Sequence, residues 1–174
     1  ENQGAEIALL STCTPAQYPD LLALSAANHN AHISGQFAGA SSGRAIGYVN
    51  ASAAPGGFGS ASAPYQAVQA GVDNTLPGGT VQVAAGSYTE QVVVNGKNLT
   101  IQGAGRANTF IVSPVTLAAS FTTPTNNAPV VFLENSGDIR VRDLTVDGAG
   151  RGNANYRFIG VGFWNAGGKV LDCD

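Results

Sequence analysis

Charge is scarce in this sequence. Only 11% of its 174 residues are Asp, Glu, Lys or Arg, against roughly 25% in an ordinary soluble domain. The eight Lys and Arg are scattered and the formal net charge is −3. That excludes the basic patch a nucleic-acid binder needs to neutralise phosphates. No apolar stretch approaches the roughly 20 residues of a membrane-spanning helix. Methionine is absent, and the one tryptophan is Trp164. Cysteine occurs twice, at Cys13 and Cys173. The fold therefore rests on a packed core, which a chain of this length can bury unaided. The two thiols leave open one long-range disulfide in an oxidising compartment, or two unrelated cysteines with Cys173 as a small buried residue. Glu1-Asn2-Gln3-Gly4 shows neither the positive segment nor the apolar segment of a secretory signal. The reading here is a removed signal or an excised piece.

What the chain has in quantity is Gly, Ala, Ser, Thr, Asn and Val. Small and β-branched residues with 23 Gly point to closely stacked strands joined by tight turns. The low charge also suits packing against copies of itself. Residues 1–60 read as a partly irregular N-terminal extension or cap. Asp20 is placed to cap a short helix in the Leu/Ala run to Ala27. A strand is expected at 45–50, within a Gly/Ala/Ser-rich loop. Residues 61–174 read differently. Pro64 suits a first helical position, and Tyr65, Val68 and Val72 form one apolar stripe. Pro77-Gly78-Gly79 ends that segment.

Beyond Gly79 the period becomes strand-like. Val81 and Val83, the Val92-Val93-Val94 run, and Leu99 and Ile101 fall in short strands cut by Gly or Asn. Leu99-Thr100-Ile101-Gln102-Gly103-Ala104-Gly105-Arg106-Ala107-Asn108 returns 45 residues later as Leu144-Thr145-Val146-Asp147-Gly148-Ala149-Gly150-Arg151-Gly152-Asn153. A repeat of that length predicts a solenoid, with Leu99 stacked on Leu144 and Ile101 on Val146. Residues 113–129 read as a loop thrown out from one coil. A kink at Arg142-Asp143 turns Leu144 and Val146 inward on the next face. Aligning Val141 with Val170 sets Asp143 on Asp172 and Leu144 on Cys173. The sequence stops in mid-strand, which reads as a helix of coils continued or covered by another molecule.

Pro64-Tyr65-Gln66-Ala67-Val68-Gln69-Ala70-Gly71-Val72-Asp73, Pro77-Gly78-Gly79-Thr80-Val81-Gln82-Val83, Gly86-Ser87-Tyr88-Thr89-Glu90 and Leu99-Thr100-Ile101-Gln102-Gly103 together resemble the opening of right-handed β-helix proteins of the pectate lyase-like superfamily. That group includes pectinesterases and many bacterial surface proteins. The resemblance spans about residues 47–174. It implies an all-β solenoid, a right-handed parallel β-helix, whose first coil is covered by an N-terminal capping helix. It says little about activity, since enzymes and non-enzymes share this start.

The chemistry is sparse. The Asp and Arg motifs of pectinesterases and the calcium-binding acidic cluster of the lyases are not found. Asp143, Asp147, Asp172 and Asp174 come nearest. Asp143 and Asp172 would stack at one turn, as paired carboxylates that shift each other's pKa or as turn residues bonding their own backbone. Arg106 and Arg151 hold matching places in the repeat and would grip the carboxylates of an acidic sugar, or pair with an acid such as Asp147. Phe163 and Trp164 fall on opposite faces, and an exposed Trp164 would be a sugar-stacking platform. His29 and His32 have metal-ligand spacing but nothing to complete a site. Two sequons, at Asn50 and Asn98, permit glycosylation where the producing cell performs it. No complete catalytic constellation and no cofactor is implied. The function expected is a non-catalytic scaffold, secreted or at the cell surface, in surface structure, adhesion or fibre assembly. Its partners would be a polysaccharide or copies of itself stacked head to tail. The alternatives are a polysaccharide lyase or esterase with its active site on later coils, and a carbohydrate-binding module using Trp164 and the 113–129 loop.

Overall fold

A computed structural model of the chain describes residues 6–8, 32–34, 43–155 and 157–174. The chain divides into two units, Glu1–Ser42 and Gly43–Asp174. In the first, β1 (Glu6–Ala8) and β2 (His32–Ser34) pair in parallel, with Ile7 beside Ile33. The helix expected at 20–27, Cys13 and His29 lie outside the described residues.

The second unit is mostly parallel β-sheet, with one α-helix among the described residues. Five strands form sheet one: β3 (Arg44–Val49), β4 (Thr75–Val83), β7 (Leu99–Gln102), β11 (Ile139–Arg142) and β14 (Gly168–Leu171). Sheet two holds β5 (Gly86–Thr89), β8 (Thr109–Val112) and β12 (Thr145–Asp147). Sheet three holds β6 (Val92–Asn95), β10 (Asn126–Glu134) and β13 (Phe158–Trp164), and the two-residue β9 (Phe121–Thr122) pairs antiparallel with β10. From β4 onward the chain visits sheets one, two and three in turn, and from β7 onward each strand but β9 pairs in parallel with the one a round earlier.

Alternation decides what faces the core. Val92 and Val94 are buried, Val93 is half-buried, and Asn95 is exposed. In sheet one Val81, Ile101 and Val141 are adjacent in register and fully buried. Val131 and Leu133 sit on Val92 and Val94 in sheet three, and Ile111 lies beside Tyr88 and Val146 in sheet two. Buried Thr109 is satisfied: its Oγ1 accepts from Ala104 N at 2.9 Å and donates to Ala84 O at 3.3 Å.

The stacking expected from the decapeptides is corrected. Leu99 and Ile101 pair with Ile139 and Val141, forty residues on, while Val146 pairs with Ile111 in sheet two. The kink decides this. Gly103 N donates to Arg142 O, and a Cβ on Gly103 would run into the Asp143 carbonyl. Asp143 itself adopts φ 57° and sends the chain to the next sheet, where Leu144 is fully buried. Each decapeptide is thus a strand followed by a glycine turn, used on two different sheets. The alignment of Val141 with Val170 holds, and Cys173 is half-buried against the core.

The helix, α1 (Val68–Asn74), begins four residues later than Pro64 suggests. Tyr65 precedes it, bridging to Val49, while Val68, Gly71 and Val72 form its buried face. Gly71 is required by close approach, since a Cβ there would meet the side chains of Val49 and Val81. Its N-cap residue, Ala67, offers no side-chain acceptor. Glu90, at the turn after β5, supplies one instead: its carboxylate accepts from Val68 N at 2.7 Å and Gln69 N at 2.8 Å. Burial pushes the Glu90 carboxyl above its ordinary 4.5, assisted by the nearby Asp73 charge and opposed by the two backbone N–H groups.

A carboxyl raised on folding binds its proton more tightly in the native state, so its stabilising share is complete below pH 4.5 and is lost as pH rises through the folded value. We expect Glu90→Gln, which does not titrate, to flatten the stability–pH profile over that window. Urea melts at stepped pH check it, and parallel profiles for the two proteins would refute the assignment.

Candidate functional site

The outer face of sheet three carries a stack of three aromatic rings, Phe132, Phe121 and Trp164. Phe132 on β10 lies beside Gly162 on β13, and Glu134 beside Trp164. A Cβ on Gly162 would meet the Pro129 side chain at 3.0 Å and the Phe121 ring at 3.5 Å, so the glycine leaves room for both. Phe121 stacks on Phe132 with centroids 5.6 Å apart and on Trp164 at 4.9 Å, with interplanar angles of 18° and 21°. Phe132 is covered by this arrangement, whereas Trp164 stays 41% exposed. Phe163, on the opposite side of β13, packs against the core.

The 113–129 segment is less of a loop than its Pro, Thr and Asn content suggests. It includes β9 and the first residues of β10. Gln91 fastens it from below. The Gln91 Oε1 accepts from Ala118 N and Ala119 N at 2.9 and 2.8 Å, and its Nε2 donates to Ala119 O and Pro129 O at 2.8 and 2.7 Å. Asn127 Nδ2 donates to Phe121 O, Thr125 O and Thr123 Oγ1 at 3.0–3.1 Å, closing the hairpin that carries Phe121. The Phe121 ring is therefore presented by a braced segment.

Beside Trp164 runs a ladder of amides. Asn165 Nδ2 donates to Asn135 Oδ1 at 2.9 Å, Asn135 Nδ2 to Asn95 Oδ1 at 3.1 Å, and Asn95 Nδ2 to Glu134 Oε1 at 2.8 Å. All three Asn close strands of sheet three, and Asn135 and Asn165 hold φ near 50°. An aromatic plane with amides and a carboxylate at its edge suits a ligand with an apolar face and hydroxyls at its rim.

The other residues singled out from sequence lie elsewhere. Arg106, in the turn between β7 and β8, is exposed and 3.7 Å from the Asp174 carboxylate. Arg151, in a 3-10 turn between β12 and β13, donates to the Ser113 carbonyl. The two arginines thus sit at different corners. Asp147 accepts from Ala149 N at 2.7 Å, an Asx turn. Asp143 accepts from Arg142 Nε at 2.7 Å and Gln102 Nε2 at 3.4 Å, with Asp172 at the corresponding turn one round on. Among the described residues no group of three or more His, Cys, Asp or Glu side chains is placed to hold a metal. The hollow under residues 50–64 is lined by Ala, Gly, Ser and Pro with one Asn and has no titratable group.

Phe121, Phe132 and Gln91 were not singled out from sequence. A signal for the ladder was present: Asn95-Gly96, Asn135-Ser136-Gly137 and Asn165-Ala166-Gly167 recur at the ends of apolar runs. Compared with known proteins, the chain matches no family model, no curated protein and no solved structure.

Proposed function

We propose that this chain opens a right-handed parallel β-helix, with α1 as its N-terminal cap, and that it serves as a non-catalytic scaffold, secreted or at the cell surface, in surface structure, adhesion or fibre assembly. The observation that carries this reading is the regular passage of the chain through three parallel sheets, with β7, β8, β10, β11 and β12 each in register with the strand a round before. A wall built that way leaves its outer face free for contacts. The charged groups on it support a structural role: Glu90 binds α1, Arg142 holds Asp143, Arg140 pairs with Asp138 at 3.0 Å, and Asp147 closes its own turn. Incubation with pectins should release neither unsaturated products nor methanol. Either product would favour the polysaccharide lyase or esterase reading.

The aromatic face favours one partner, a polysaccharide. Its pyranose rings would lie on Trp164, and their hydroxyls would meet Asn165, Asn135 and Glu134. Copies of the chain stacked head to tail are the second partner of this reading. Binding to insoluble polysaccharides should weaken about fivefold in Trp164→Ala, since one stacked ring contributes on the order of 1 kcal/mol. The melting temperature should fall by only a few degrees, because the ring is 41% exposed and its main packing partner is Phe121. Arg106→Ala should bind as the parent does. Unchanged pull-down by Trp164→Ala would remove this site from consideration.

A further inference from the structure

The amide ladder beside Trp164 has a direction, and one side chain sets it. A carboxylate only accepts hydrogen bonds, whereas an amide can present either end. Glu134 Oε1 therefore draws the Nδ2 of Asn95, at 2.8 Å. That turns Asn95 Oδ1 toward Asn135, whose Nδ2 donates to it at 3.1 Å. Asn135 Oδ1 is left to accept from Asn165 Nδ2 at 2.9 Å. Every donor in the ladder points back toward Glu134. The Asn165 carbonyl oxygen ends it as an acceptor with no partner among the described residues.

The charge of Glu134 is unmatched. The residue is half-buried beside Trp164 on the outer face, and none of the ion pairs among the described residues includes it. Lys97, Arg140 and Arg157 are engaged elsewhere. Lys97 Nζ donates to the carbonyls of Val72, Asp73 and Thr75, Arg140 pairs with Asp138 at 3.0 Å, and Arg157 donates to Thr123 O. The rim of the aromatic face thus presents acceptors and one uncompensated negative charge. A sugar hydroxyl satisfies the first, but only a cation satisfies the second. A cation near an indole is also attracted by its ring electrons. Phe121 stacks on the Trp164 ring and still leaves the residue 41% exposed. A uronate carboxylate at the same place would meet Glu134 as a like charge.

We propose that this face selects a polysaccharide of amino sugars with protonated amines, one ammonium on Glu134 and a pyranose ring on Trp164. This inference rests on the polysaccharide reading above and adds the ligand's charge to it. Glu134 then has two roles. The oxygen that Asn95 leaves free pairs with the ammonium. The other holds the ladder in the direction that makes Asn165 receive a hydroxyl proton.

The test measures binding of the full chain to chitosan, cellulose, polygalacturonate and polylysine. It is run at a mildly acidic pH that protonates sugar amines and leaves carboxylates ionised. The parent should hold chitosan about fivefold more tightly than cellulose, and polygalacturonate least. Added salt should shrink that ratio. Glu134→Gln should bring the chitosan-to-cellulose ratio to about one. Asp172→Asn removes an equal charge away from sheet three and should keep the parent's ratio. Should Glu134→Gln fail to fold, the parent's ranking of chitosan over polygalacturonate decides. A parent that prefers polygalacturonate, or an unchanged ratio in Glu134→Gln, would overturn the amino-sugar assignment and leave the polysaccharide reading standing. An equal fall in Asp172→Asn would do the same, because overall charge would then account for the preference. Polylysine held as tightly as chitosan would also overturn it, since charge without a pyranose face would suffice. A parent that binds none of the three sugars would overturn both.

Discussion

Ile101→Ala should lower the unfolding free energy by about 3–4 kcal/mol, as expected for a large aliphatic side chain removed from a site that cannot collapse. Ile101 is fully buried between Val81 and Val141 on neighbouring strands. Strand backbones on both sides fix the spacing, so the vacated volume stays open. The milder Ile101→Val should cost about 1 kcal/mol. Chemical denaturation checks both, with an unchanged m-value as the sign that the native state kept its compactness. The register makes a sharper demand. Val141→Ala combined with Ile101→Val should depart from additivity by at least about 0.5 kcal/mol, as contacting residues do. The coupling of Ile101 to Val146 should be smaller, because Val146 belongs to sheet two beside Ile111. Stronger coupling to Val146 would restore the decapeptide stacking and dismantle the strand register described here.

That contrast shows what could be read from the sequence. The apolar alternation at Leu99–Ile101, Ile139–Val141 and Leu144–Val146 identified strands correctly, because period two depends only on local pleating. It could not choose among the three pairs, which look alike to a neighbour above or below. Identity of letters favoured Leu144–Val146. The backbone favoured Ile139–Val141, because Asp143 in the left-handed region and Gly103 at its contact end the sheet-one strands together. The helix start shifted for a related reason. Pro64 is compatible with a helix, but the backbone of Tyr65 is already engaged with Tyr48 and Asn50, and the acceptor for the first helical N–H groups comes from Glu90, 22 residues beyond Val68. At the candidate site, parity told that Phe163 and Trp164 face opposite ways, and the structure makes Trp164 the exposed one. The ring that stacks on it was not legible, because Phe121 reaches Trp164 only through the Gln91 and Asn127 bracing.

Asn135 should be the most sensitive of the ladder residues. It donates to Asn95, accepts from Asn165, and holds a φ of 53°. Asn135→Ala loses both amide bonds, on the order of 0.5–1 kcal/mol each at an exposed site. It also forces a Cβ-bearing residue without a stabilising side chain into the left-handed region, about 1 kcal/mol more. We therefore expect a loss of about 2–3 kcal/mol. Asn135→Gly separates the two contributions, since glycine accepts the backbone freely but carries no amide. It should recover about 1 kcal/mol of that loss. Equal destabilisation by the two substitutions would mean that the ladder bonds carry the whole effect. A glycine variant as stable as the parent would mean that they carry none, and that asparagine stands at this turn for its conformation alone. The ladder also sets the spacing of Asn135 and Asn165 beside Trp164, so breaking it should loosen the polar rim of the aromatic face. Polysaccharide binding by Asn135→Gly should then fall while the Trp164 ring stays in place, which intrinsic fluorescence of the one tryptophan would report.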